Sequence, residues 1–373
     1  MTPVAHPDSA DHAAPPTDAI ACLVGIAPWK RRRMRTMLRN SHGPAFAADP
    51  ARAVALARAR GGAIGCWATR TPPGLERAAR DAGIPVWWIE DGFLRSAGLG
   101  AALVQPCSVT LDRQRPHYDP GGASDLEDML QSAEFDPETL ERAAELIALL
   151  RSARLTKYNL AGAPVDLPHG RRIVLVLGQV EQDHSVLRGG AGVNGMIDLL
   201  ARARAAEPDA FLVYKPHPDI ASGLRSGGQG EREALAFADL VAPDADLIDL
   251  LDRADAVHVL TSLAGFEALV RGRRVVVHGQ PFYAGWGLTE DRAPIARRTR
   301  RRSLCELVAA ALIVYPIYAS ARSGERCSVE TLANELAGHE KARGPAPLRA
   351  MAGRLAGWFG TAAAVARRGV RTG

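Results

Sequence analysis

The sequence predicts an α/β protein made of two Rossmann-like units in series. Short apolar runs alternate with Ala-, Leu- and Arg-rich amphipathic stretches for most of the 373 residues. The alternation breaks at one Pro/Gly-rich loop and then restarts, which implies a second unit. Each cluster of chemically capable side chains also falls just after an apolar run, where open α/β sheets hold their ligands.

In chain order, Met1 to Ala21 is rich in Pro, Asp and Ala without an apolar segment, so residues 1–19 read as a disordered leader and not as a signal peptide. Ile20 to Gly25, Ala63 to Trp67, Val86 to Glu90 and Ser108 to Asp112 read as strands. Pro50 to Arg60 and Leu75 to Ala82 carry apolar residues at helical spacing between them, and Gly83-Ile84-Pro85 stops the second helix. Pro137 to Arg154 is a long amphipathic helix, with Asp136 as its cap and Pro137 at its first position. This closes a first unit over 20–160, and the loop to Arg172 (Gly162, Pro164, Pro168, Gly170) forms a linker over 161–172. Ile173 to Leu177 is almost wholly apolar, as a strand buried on both faces should be. Phe211 to Lys215, Asp255 to Leu260 and Arg274 to His278 continue a second unit over 173–320, leaving 321–373 as a basic tail.

Charge and composition exclude several classes. No run reaches the roughly 18 apolar residues of a membrane span. The five cysteines (Cys22, Cys66, Cys107, Cys305, Cys327) are scattered without a C-x-x-C pair, which argues against a zinc site or disulfide framework and for a reducing cytoplasm. The net charge of +5 is concentrated in Lys30 to Arg39, in Arg297 to Arg302 and after Glu340. No nucleic-acid motif or aromatic stacking series accompanies these patches, so no nucleic-acid partner is expected. Pro345 to Arg368 spaces Leu348, Met351, Leu355, Trp358 and Phe359 near helical period among arginines, the pattern of a helix lying on the inner face of a membrane. A dinucleotide fingerprint, a P-loop and a nucleophile elbow are all absent.

Four strand-end segments could carry chemistry. Glu90-Asp91-Gly92 offers a general base, or simply a capped turn. Gly178 to Ser185 crowds Gln179, Glu181, Asp183, His184 and Ser185 where a strand turns into a helix. One carboxylate there could act as nucleophile or base, although an N-cap needs only one such residue. Lys215-Pro216-His217-Pro218 fixes a His beside a Lys between two prolines, suited to a phosphate. Thr261-Ser262 opens a helix that runs through Glu267, presenting hydroxyls and backbone N–H groups to an anion, or merely capping it. The following loop, Gly279 to Leu288, is rich in Gly and aromatics and could wall a base or sugar ring or cover the core. The D-x-D spacings within Asp244 to Asp255 lie on a Leu-rich helical stretch and read as a solvated face, not a metal site.

In this order and at these spacings, several strings resemble the capsule polysaccharide family of the KpsC/LpsZ type. They are Glu90 to Gly100, Leu155 to Asn159, Gly178 to Asp183, Tyr214 to Asp219, Thr261 to Glu267 and Gly279 to Gly287. The resemblance spans about Trp29 to Tyr318. It implies a GT-B fold, two Rossmann-like domains with parallel sheets facing across a cleft, and retaining transfer of the acidic sugar Kdo from CMP-Kdo to a lipid-linked, Kdo-containing acceptor. By that resemblance Asp183 is the nucleophile, Glu90 the base with Asp91 beside it, and His217 faces the donor phosphate. Lys215, Thr261, Ser262, Gln179 and Glu267 are further donor contacts, and no metal or other cofactor is expected. The Trp29-Lys30-Arg31 and Leu155 to Asn159 strings look more like the C-terminal of two tandem modules, which implies transfer to a seven-position hydroxyl. The competing readings are a transferase for another nucleotide sugar and a non-catalytic export factor.

Overall fold

A computed structural model describes residues 17–39, 43–221 and 231–339. The first sheet is built from β1 (Ile20–Val24), β2 (Ala45–Ala47), β3 (Ala63–Trp67), β4 (Val86–Asp91) and β5 (Ser108–Asp112). The second is built from β6 (Ile173–Leu177), β7 (Phe211–Lys215), β8 (Leu240–Val241), β9 (Ala256–Val259), β10 (Arg274–Val277) and β11 (Glu290–Asp291). Two later strands, β12 (Pro316–Ala319) and β13 (Arg326–Cys327), return to the first sheet. The strand orders are β13-β12-β5-β4-β3-β1-β2 and β11-β10-β9-β6-β7-β8.

Every residue of β1, β3, β5, β6 and β9 is buried; β1, β3 and β6 are continuous apolar runs, whereas β5 alternates and buries Ser108, Thr110 and Asp112, and β9 buries His258. The helices between them start at the expected caps. Asp49 accepts the Arg52 N–H ahead of Pro50–Arg60, and Asp136 accepts the Thr139 N–H ahead of Pro137–Ser152. The second sheet is parallel throughout, and in the first sheet β1 to β4 are parallel.

Several expectations need correction. β5 runs antiparallel to β4, with Glu90 opposite Thr110, and β12 runs antiparallel to β5. The second unit therefore does not extend to residue 320, because 316–319 cover the otherwise open edge of β5. Nor is 321–339 a tail. Its helix Val329–Ala337 buries Val329, Leu332, Ala333 and Leu336 in a core shared with Leu146, Ile147 and Leu150. Thr17–Ala19 is a helical turn and not leader, and the Thr17 hydroxyl hydrogen-bonds Arg39 and Arg326. The 161–172 linker is anchored: Ala163 bridges Ala245, and a Cβ on Gly162 would lie 2.3 Å from the Asp246 nitrogen. The membrane-surface helix expected over Pro345 to Arg368 lies outside the described residues.

The two units are joined by more than the linker. Glu127 of the first receives Arg298 at 2.8 Å and also pairs with Arg297. Arg302 reaches the carbonyls of Leu130 (2.6 Å) and Ala133 (2.7 Å) at the end of helix Asp125–Ser132. The 297–302 basic run is thus largely an interdomain strut, not a free surface patch.

Candidate active site

A cleft of about 960 Å³ lies between the sheets, lined by the ends of β4, β6, β7 and β9 and the loops that follow them. Glu90, Asp91, Gln179, Asp183, Lys215, His217, Thr261, Ser262 and Glu267 all line it. Segments up to 177 residues apart in the chain thus meet in one cavity, as the strand-end placement requires.

On the first wall the two adjacent carboxyls are held in opposite states. Burial raises Glu90 to about 7, and the neighbouring Asp91 charge adds to the shift; its Oε1 accepts the Thr69 N–H at 3.0 Å. Burial would also raise Asp91, but Arg95, Lys30 and Lys157 outweigh it and hold the group down at about 2. The Arg95 Nε lies 2.9 Å from one Asp91 oxygen and the Lys30 Nζ 3.3 Å from the other. Lys30 stacks its ammonium 3.4 Å from the Trp67 ring centroid, which lets the cation sit inside the protein. His117, enclosed by Phe93 and Phe282, is pushed down to about 3 by burial and by Lys157.

On the second wall, Asp183 occupies the N-cap position of helix His184–Gly189, yet its side chain does not cap that helix. The His217 Nδ1 accepts the Asp219 N–H at 3.1 Å, so a neutral ring carries its proton on Nε2, as a donor. Lys215 is lowered to about 8 by burial, against the pull of Asp244 and Asp246, and its ammonium donates to the Pro243 carbonyl at 3.0 Å. Gln179 and Thr261 hydrogen-bond each other twice: side chain to hydroxyl at 2.9 Å and Thr261 N–H to the amide oxygen at 2.8 Å. This pair fixes the ends of β6 and β9 relative to each other. Ser262 does cap helix Leu263–Val270, its Oγ accepting the Ala264 N–H. Glu267 accepts the Lys157 N–H at 2.7 Å and so ties the two walls together.

Three cleft cations escape notice in the sequence. Lys30 reads as one charge of an exposed basic run, and Arg95 and Lys157 lie inside strings whose acidic or polar neighbours draw attention first. For Arg95 the signal available was its apolar company, Phe93 and Leu94; Lys30 meets Trp67 only in the fold. Of the aromatic loop, Phe282 reaches the cleft, whereas Tyr283 and Trp286 are fully buried in the core. The D-x-D pair is not on a solvated helix face as expected: Asp244 and Asp246 lie in the loop after β8, where Asp244 lines the cleft and buried Asp246 caps helix Leu247–Arg253, while Asp246, Asp249 and Asp252 all pair with Arg154. Among the described residues, no group of three or more His, Cys, Asp or Glu side chains is placed to hold a metal ion, and no helix is long and apolar enough to cross a membrane.

Residues 62–325 match the family described as capsule polysaccharide biosynthesis protein. The chain belongs to that family. It is 41% identical over 263 residues to the capsule polysaccharide modification protein LipA of Neisseria meningitidis serogroup A, covering 70% of this chain and 37% of LipA. Identity to the lipopolysaccharide-processing protein LpsZ of Rhizobium meliloti is also 41%, over 264 residues, covering 68% of this chain and 60% of LpsZ. The chain thus spans between about a third and three fifths of these curated relatives. Among solved structures, it resembles a Thermosulfurimonas dismutans KpsC β-Kdo 2,4-transferase at TM-score 0.74 and 29% identity. It also resembles the β-Kdo 2,7-transferase of the same KpsC at TM-score 0.69 and 32% identity. Each alignment covers 85% of this chain and 98% of the other. The fold is the two-unit α/β arrangement of these transferases.

Proposed function

We propose that the protein is a retaining β-Kdo transferase that uses CMP-Kdo. The supporting observation is the pairing of walls: a carboxyl poised at about 7 stands across one cleft from the strand-end carboxylate Asp183 and a Lys-Pro-His-Pro turn. In this reading, Asp183 attacks the anomeric carbon of Kdo while the carbon–oxygen bond to the CMP phosphate breaks, and CMP departs with that electron pair. His217 donates its Nε2 proton in a hydrogen bond to the leaving phosphate, and Lys215 balances the charge. The acceptor hydroxyl then attacks the same carbon and displaces Asp183, its proton passing to Glu90. Two inversions give retention. Glu90 and not Asp91 takes the base role, because a base needs a pKa near the working pH, whereas both Asp91 oxygens are already paired.

The acceptor in this reading is a lipid-linked, Kdo-containing saccharide. Intact-protein mass spectrometry after mixing with CMP-Kdo tests the donor half: wild-type protein should gain one Kdo, and Asp183→Asn should not. Failure to release CMP even with acceptor present would refute the donor assignment. Product NMR with a Kdo glycoside then distinguishes transfer to the four-position from transfer to the seven-position hydroxyl.

A further inference from the structure

Lys157 stands out among the cleft cations because its charge is left over. Asp91 is saturated, one oxygen paired with Arg95 and the other with Lys30. The Lys157 ammonium makes no hydrogen bond or ion pair among the described residues; it lies 5.3 Å from the Tyr158 ring centroid and feels the Asp91 and Glu90 carboxyls at longer range. Glu90 is close to half-protonated at neutral pH, and Glu267, turned to the Lys157 backbone, sits beside buried Arg271. Three cations, Lys30, Arg95 and Lys157, therefore face one fully ionised carboxylate on the Glu90 side of the cleft.

The position of Lys157 is fixed from both units without using its side chain. Its N–H donates to Glu267, while its carbonyl accepts the N–H groups of Arg95 (3.0 Å) and Ser96 (3.2 Å). Thr156 and Asn159 exchange hydrogen bonds around it, each side-chain oxygen accepting the other's N–H. Burial is outweighed by Tyr158, Asp91 and Glu90, which keep the ammonium charged, and it faces the cleft, where an anionic group of a ligand can meet it.

We propose that Lys157 is a specificity-determining residue that binds a carboxylate of the acceptor sugar beside the hydroxyl that reacts. This rests on the reading of Glu90 as the base, which makes its side of the cleft the acceptor side. The donor phosphate has its own partners, His217 and Lys215, on the opposite wall. Lys157 thus selects an acidic acceptor over a neutral one of the same shape.

The test compares a soluble Kdo glycoside with its carboxamide, in equilibrium binding and in transfer from CMP-Kdo, using wild type, Lys157→Gln and Lys157→Arg. Wild type should prefer the carboxylate by about 10- to 100-fold in acceptor Kd and KM, the range of one enclosed charge-assisted hydrogen bond. Lys157→Gln should erase the preference and raise the acceptor KM far more than the KM for CMP-Kdo, and Lys157→Arg should restore part of the preference. Equal binding of both glycosides by wild type overturns the proposal while Kdo transfer itself still stands. A Lys157→Gln defect confined to the donor KM also overturns it, assigning the ammonium to the donor carboxylate instead. Absence of any transfer from CMP-Kdo by wild type overturns the functional reading, and the binding arm then decides separately whether Lys157 recognises the acid.

Discussion

Glu90 and Asp91 are chain neighbours with the same functional group, yet one is held at about 7 and the other at about 2. The difference comes from company. Asp91 has two buried cations on its oxygens, whereas Glu90 has no cation in contact and is held by Thr69, through its backbone N–H and side chain. If Glu90 is the base, the acidic limb of kcat/KM should bend near pH 7, and Glu90→Gln should abolish the limb together with the transfer. The stability consequence runs the other way. A carboxyl raised on folding contributes stability that is complete below the unfolded value, about 4.5, and is lost as pH rises through about 7. Glu90→Gln should therefore raise stability at pH 8, by an amount on the order of 1–3 kcal/mol, and change little at pH 4. Urea unfolding at both pH values checks this; equal changes at both would count against it. The sequence makes the two acids visible but cannot rank them, because Lys30 comes from 61 residues upstream and nothing in its basic run marks it as buried.

The strand-end loops are the elements that turn two sheets into a site, and their glycines mark close packing. At Gly279, after β10, a Cβ would lie 2.5 Å from the Gly189 carbonyl oxygen and 2.8 Å from that of Leu260. Neither backbone atom can yield like a side chain. Gly189 ends the helix that begins beside Asp183, and its carbonyl accepts the Gln280 N–H at 2.8 Å. Gly279→Ala should thus push that helix and the Thr261 loop apart, costing about 1–3 kcal/mol of stability. Transfer should fall by much more than the folded fraction, since Asp183 moves with its helix. Ser262→Ala, which removes one cap, should cost about 1 kcal/mol and leave the helix of Asp183 in place. Circular dichroism melts beside turnover measured on the folded protein separate the two effects. Periodicity and the Pro/Gly punctuation made these loops legible as strand ends, since β1, β3, β5, β6 and β7 fall within a residue of their expected bounds. The short strands β2, β8, β11 and β13, of two or three residues, carry no period to read. Nor could the sequence separate Phe282 in the cleft from Tyr283 and Trp286 in the core, because aromatics after a strand satisfy either environment.

The whole molecule closes on itself in a way the linear sequence hides. After the second sheet the chain returns to add β12 and β13 to the first, and helix Val329–Ala337 then packs on helix Pro137–Ser152. A linear reading cut the chain where the alternation of strand and helix ended; the partner of Ile317 is Val109, far upstream. The returning segment also locks the start of the chain. Arg326 donates to the Met37 carbonyl at 2.9 Å and to Thr17, and Arg142 pairs with Glu330 at 3.0 Å. Stopping the chain after Ser320 would remove β13 and the helix, stripping Val329, Leu332 and Leu336 from positions at most 3% exposed. At about 1.5–3 kcal/mol for each such side chain, the loss exceeds roughly 4 kcal/mol before the ion pair is counted. A domain's net stability is only about 5–15 kcal/mol, so the shortened chain should unfold at a much lower denaturant midpoint or fail to fold. A chain stopped after His339 retains every one of these contacts and should unfold close to the full-length midpoint. Guanidinium unfolding of the two truncations decides it. Equal midpoints would mean that β13 and the last helix are dispensable, and the first unit would then be closed by β12 alone.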